Sequence, residues 1–258
     1  MHSDDARNGK MLFAQFDPAN VPETVLCGPM KLGARYVTDV LAMDAMDAIR
    51  EYRGQVLILH GTEDDVVRPE YAVRARNAYM EVRGGAPSRD CQLVMIDGAN
   101  HGFGGPLSKT WDKYVQFAID RFLEGKQLLF NVDVTLTDRQ EDKLPDGKIR
   151  ARLYFEGSSD SPYFHGQVDE PAWDEQICFR HRAETCCADY TLTGADYTGS
   201  PCRVRIKNEM PAGGKRDWNL GWKPTVSADS DALAFVNGLE CMTYAEMRKT
   251  GPFIHIFG

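Results

Sequence analysis

The sequence predicts two domains in series: a partial α/β fold of parallel strands and helices over residues 1–126, then an antiparallel β-barrel over residues 127–258. Three observations carry this. Strand-like and helix-like runs alternate from Val37 to Leu123, the order that builds a parallel sheet with helical crossovers. From Leu128 onward the apolar period shortens to two, and turn signals recur between short runs. The change falls at Gly125 to Leu128, with no low-complexity tract or long flexible linker between the halves.

In the first half, Val37 to Tyr52 carries apolar residues at helical spacing, as one helix or two short ones, and Gly54 ends it. The run Gln55-Val-Leu-Ile-Leu-His60 is continuously aliphatic, the kind of strand buried on both faces of a parallel sheet. Pro69 to Val82 reads as a helix with proline in its first turn, closed by Gly84-Gly85. A strand follows at Gln92 to Ile96. Ser108 or Thr110 is a candidate cap for a long helix whose apolar stripe includes Trp111, Val115, Ala118, Ile119, Phe122 and Leu123. Two parallel strands are too few for an independent sheet.

In the second half, FNVDVTL, KIRARLYFEG, YFHGQVDE, EQICFRHR, CCADYTLTG, CRVRIKNE and FIHIFG all alternate with period two. Asp146-Gly147 is a strong turn signal, and a short helix is expected over Asp229 to Leu239. Closure into a barrel is favoured over an open sheet because it removes exposed edges.

Composition excludes more than it selects. Hydrophobic residues at 43% and charged residues at 26% are ordinary for a globular protein, and a net charge of −8 argues against nucleic-acid binding. No apolar run is long enough to span a bilayer and MHSDDARNGK has no signal-peptide core, so a cytoplasmic protein without membrane contact is expected. The seven cysteines are irregularly spaced, which favours reduced thiols. Neither a cofactor nor a metal is expected: Cys186 and Cys187 point to opposite faces of one strand, which defeats a shared tetrahedral site with Cys178 and His181.

The chemistry lies where apolar strands end. His60-Gly-Thr-Glu-Asp64-Asp65 follows one buried strand and Gly98-Ala-Asn-His101-Gly-Phe103 follows the next. Open α/β sheets place their sites outside the carboxyl ends of strands. Asp64 and His101 are therefore the candidate catalytic residues, with Asp64 fixing the tautomer of His101 and stabilising its imidazolium. The competing reading is turn chemistry: an Asp that caps the next helix and a His that merely packs.

HGTEDDVV and IDGANHGF resemble the acid and histidine motifs of α/β-hydrolases, in the family order Ser, Asp, His. With FDPANVPETV and MKLGARYVTD, residues 10–125 resemble the C-terminal part of cinnamoyl or feruloyl esterase-like hydrolases. The resemblance matches Asp64, not Asp65, to the acid. It implies a carboxylic ester hydrolase, a small-molecule ester as substrate of the complete enzyme, and a nucleophilic serine in Gly-x-Ser-x-Gly context. No such motif occurs. In the family the nucleophile lies further upstream of the acid than the 63 residues before Asp64, so the sequence is expected to start after it and to be inactive alone. A missing N-terminal hydrolase portion or an oligomeric partner would complete it, and a degenerate hydrolase is the competing explanation.

Residues from about 128 to 258 resemble a small β-barrel family of uncharacterised function, through FNVDVTLTDR, YFHGQV, ADYTLTGADYTG and WKPTVSADSDAL. There Asp174, Glu175, Trp218 and Trp222 are candidates for lining a pocket at the barrel mouth, against a default of packing and surface roles. A noncatalytic small-molecule-binding or assembly module centred on this barrel is the alternative function. His165 and His255 are expected to pack.

Overall fold

The computed structural model describes residues 3–11, 13–105, 107–180, 182–210 and 222–258, so His181 and Trp218 lie outside the described residues. Two compact units are formed, Met1–Gln116 and Phe117–Gly258.

The first unit opens with α1 (Ser3–Arg7) and two small antiparallel hairpins, β1 (Lys10–Met11) with β2 (Ala14–Gln15) and β3 (Thr24–Cys27) with β4 (Met30–Gly33). The apolar run from Val37 resolves as two helices, α2 (Ala34–Ala42) and α3 (Ala45–Glu51). The break follows from Asp44, extended at φ −112°, whose carboxylate accepts the Met46 N–H and so starts α3 afresh. Next come β5 (Val56–Gly61), α4 (Pro69–Glu81), β6 (Cys91–Ile96) and α5 (Ser108–Leu123).

Strands β5 and β6 pair in parallel from Val56↔Cys91 to Gly61↔Ile96, with α4 as the crossover. Burial differs between them. Val94 and Ile96 on β6 are fully enclosed, whereas Val56 to His60 on β5 are half-buried. Among the described residues β5 hydrogen-bonds only to β6, so the expected two-faced burial is realised on β6 alone.

The second unit is an antiparallel β-barrel, which begins with the last turns of α5. Phe117 lies 5.5 Å from the Tyr244 ring and 5.4 Å from that of Phe257, and Arg121 Nη1 donates to Met242 Sδ at 3.0 Å. Its strands are β7 (Leu128–Lys143), β8 (Ile149–Asp160), β9 (Phe164–Val168), β10 (Ala172–Phe179), β11 (Arg182–Asp196), β12 (Pro201–Met210), β13 (Thr225–Ala228), β14 (Met242–Met247) and β15 (Pro252–Phe257). A 3-10 turn over Asp231–Val236, capped by Ser230, stands where a short helix was expected.

The hydrogen-bonded order is β13-β12-β11-β10-β8-β7-β15-β14, with β9 between β11 and β8. β9 and β10 thus occupy successive stretches of one slot, and with β8 and β11 they close a ring of four pairings. Between Gln167 and Ala172 this rail advances five residues while β8 opposite moves from Ser158 to Phe155, only three, so a two-residue excess bulges out between β9 and β10. The end rails meet through the Thr243 N–H, which donates to Trp222 O at 2.9 Å just ahead of β13.

Inward positions keep period two around the wall, as in the rows Ile254↔Val132 and Tyr190↔Ile206↔Val226. One half of the interior is solid. Leu129, Phe164, Leu192, Val204, Leu233 and Val236 are almost completely buried, and Phe164 meets Phe130 edge-on at 6.3 Å. Truncating Phe164→Ala is expected to destabilise the barrel by about 3–5 kcal/mol, read from the denaturant midpoint of the barrel transition. A loss below about 1 kcal/mol would show that this half is not close-packed.

Candidate functional site

Asp64 and His101 come together in the first unit. Gly61 ends β5 against the loop after β6 so closely that a Cβ there would lie 2.1 Å from the Ala99 carbonyl oxygen. That oxygen accepts the Glu63 N–H at 3.0 Å, and the Gly98 N–H donates to Thr62 Oγ1 at 2.8 Å. Gly98 turns the chain with a left-handed φ of +67°. Trp111 Nε1 on α5 donates to Asp97 O at 3.1 Å and anchors the base of the same loop. The two loops are therefore stitched to each other before either candidate side chain is counted.

His101 Nδ1 then lies 3.0 Å from Asp64 Oδ2. The other carboxylate oxygen, Oδ1, accepts the backbone N–H groups of Val66 at 3.0 Å and Val67 at 2.7 Å. Turn chemistry and histidine orientation are thus not alternatives, since one carboxylate does both with different oxygens. The Asp64 side chain is 5% exposed and that of His101 51% exposed. With Nδ1 engaged, Nε2 is the nitrogen left for proton transfer; it has no protein partner among the described residues. Asp65 is exposed.

Burial by itself raises the Asp64 carboxyl, but the hydrogen bonds from Val67, His101 and Val66 outweigh it and hold the group below the usual carboxylate range. The arrangement is a buried anion aimed at a half-exposed imidazole, able to hold one ring proton in place while the other nitrogen exchanges its own.

His60, named in the sequence only as a strand end, is a further member of the cluster. Its Nε2 lies 2.7 Å from Val67 O and 3.4 Å from Asp64 Oδ2. It ties the strand end to the turn that holds Asp64. The only signal available in sequence was its i, i+4 spacing to Asp64 across a glycine turn.

Among the described residues, no hydrogen bond joins Ser88 or Ser108 to His101. Ser88 Oγ accepts the Asp90 N–H at 3.1 Å in a tight turn, and Ser108 begins α5. Among the described residues no cluster of three or more His, Cys, Asp or Glu forms a metal site. In the barrel, Asp174 and Trp222 line an interior cavity, whereas Glu175 points outward to Arg152 at 3.2 Å and Arg150 at 3.8 Å. His165 sits on the surface beside Asp160 at 2.7 Å. His255 is buried, with Nδ1 2.8 Å from Asn131 Oδ1 and Nε2 3.1 Å from Glu246 Oε1.

No protein-family model and no curated protein matches this chain. Similar solved structures include the esterase Est1E from Butyrivibrio proteoclasticus, 27% identical over 48% of this chain and 47% of that chain, with a TM-score of 0.38. This chain therefore spans about half the length of that esterase. They also include a β-barrel-like protein from Acinetobacter baumannii AYE, 14% identical over 51% of this chain and 94% of that chain, TM-score 0.37. A conserved protein of unknown function from Rhodopseudomonas palustris is 13% identical over 51% of this chain and 95% of that one, TM-score 0.39.

A carboxyl depressed in the folded state binds its proton less readily than in the unfolded chain. Its contribution to stability is complete above the unfolded value, about 4, and is lost as pH falls through the folded value. Asp64→Asn is expected to lower the stability of the first unit at neutral pH and to flatten its decline on acidification from about pH 5 to about pH 2. Equal acid slopes in the two proteins, measured by denaturant titration at each pH, would contradict this.

Proposed function

We propose that Asp64 and His101 are the acid and base of a serine-type carboxylic ester hydrolase, of the cinnamoyl or feruloyl esterase-like kind that the sequence motifs resemble. The observation that carries it is the 3.0 Å contact between a buried, doubly capped carboxylate and the Nδ1 of a half-exposed histidine. In such a hydrolase Nε2 takes the proton of the nucleophile as it attacks the ester carbonyl, then returns it to the leaving alkoxide. Asp64 holds the ring so that Nε2 is bare and stabilises the imidazolium formed midway. Its position is fixed by Val66 and Val67, so it need not reorganise during the transfer.

No residue of this sequence stands in nucleophile context, and a triad works as a unit, so these 258 residues alone do not turn over an ester. The substrate proposed for the complete enzyme is a small carboxylic ester.

Two measurements on the purified chain test this. Nitrogen-edited spectra are expected to show neutral His101 protonated on Nδ1 and bare on Nε2, and that preference lost in Asp64→Asn. Hydrolysis of 4-nitrophenyl butyrate is expected to match that of His101→Ala. His101 protonated on Nε2 instead would remove the basis of the assignment. Saturable hydrolysis abolished in His101→Ala would leave the pair standing and overturn its inactivity in this chain.

A further inference from the structure

The half of the barrel interior that side chains do not fill is a cavity of about 310 Å³. Seven rails contribute to its wall, and all the lining residues belong to the second unit. Most of that wall is aliphatic or aromatic: Leu136, Leu153, Phe155, Ile206, Ile254 and Met247 are among its members. A volume of this order is at the lower end of what small-molecule sites enclose, room for a molecule of one or two rings.

Besides Tyr190, Trp222 and Thr243, the polar side chains of this wall are gathered. Asp174 and Gln176 come from β10, on the same face two residues apart, and Gln176 Nε2 donates to Asp174 Oδ2 at 2.6 Å. Asn208 comes from β12. The pairing registers put Asp174 opposite Ala188 and Ala188 opposite Asn208, so the three form one row across β10, β11 and β12. The small Ala188 side chain leaves open the space between the two polar ones.

Asn208 Oδ1 is buried and has no hydrogen-bond partner among the described residues. An acceptor withdrawn from water and left unpaired costs about 1–3 kcal/mol, and an aliphatic residue would fill the same position without that cost. Such an arrangement is the pattern of a binding site, an apolar wall with a few polar groups that fix orientation. The unpaired amide oxygen of Asn208 accepts a hydrogen bond, so the ligand group that meets it must donate.

We propose that the barrel cavity binds a small, uncharged, largely apolar molecule that carries a hydroxyl group, with the hydroxyl seated over Ala188 and donating its proton to Asn208 Oδ1. The apolar body lies along Leu153, Phe155, Ile206 and Ile254. This site is independent of the Asp64–His101 reading, and the residues that would test it lie in the other unit.

Calorimetric titration of the whole chain with 2-naphthol, 2-methoxynaphthalene and cyclohexylmethylamine tests it. Naphthol and its methyl ether share a ring system, but only naphthol donates. Naphthol is expected to bind at least about tenfold more tightly than the ether, and the amine more weakly than naphthol. Asn208→Ala is expected to collapse the ratio between naphthol and the ether while the ether still binds. Ala188→Phe, which fills the space over the row, is expected to abolish binding of both; if that variant melts early, the Asn208→Ala ratio alone decides. No binding of either naphthalene, equal binding of the two by the unaltered chain, tighter binding of the amine, or a ratio unmoved by Asn208→Ala would each overturn the proposal.

Discussion

The close approach of Gly61 to Ala99 is the constraint on which the candidate site depends. Parallel pairing delivers β5 and β6 side by side with their carboxyl ends together, but that alone leaves two loops free to diverge. Without a side chain at Gly61, the Ala99 carbonyl comes close enough to accept the Glu63 N–H, and the Gly98 N–H reaches Thr62 Oγ1. Asp64 follows Glu63 by one residue and His101 follows Ala99 by two. Their 3.0 Å contact is thus set by backbone geometry before it is strengthened by charge. The carboxylate is then satisfied on both oxygens, which is what allows an anion to remain buried beside a ring that is half in water.

The barrel shows the opposite use of polarity. Period-two alternation turns aliphatic residues inward on almost every rail, and at one end they interlock into a solid core. Toward the other end the inward series admits Asp174, Gln176 and Asn208. Alternation still specifies which face these residues occupy, so the register that packs Val204 and Ile206 inward necessarily turns Asn208 inward as well. A polar residue on an apolar face is then held by the same hydrogen-bond ladder that builds the core.

Legibility in the sequence followed the length and purity of the pattern. β5, β6, α4 and α5 were readable because each carries an uninterrupted aliphatic run or a sustained helical stripe. The hairpins β1 to β4 were not, since strands of two to four residues are too short to display a period. β14 escaped for a different reason. Of its inward residues, Thr243, Ala245 and Met247, only the last is large and apolar, and its outward Tyr244 and Glu246 are buried, so neither face reads as core or solvent. Asp64 and His101 were visible because glycine-flanked polar residues after apolar strands stand out. His60 was hidden inside the strand run, and the row of Asp174, Ala188 and Asn208 exists only once the register of three strands is known.

The stitched loops can be tested most directly by adding a Cβ at Gly61 and following, by hydrogen exchange and nitrogen-edited spectra, the Glu63 and Gly98 amides together with the His101 ring proton. In Gly61→Ala the two amides should lose protection and the Nδ1–H signal of His101 should vanish with them, while amides of the barrel strands keep theirs. An Nδ1–H signal that survives in Gly61→Ala after the Glu63 and Gly98 amides have become unprotected would show that the pair does not depend on the backbone approach.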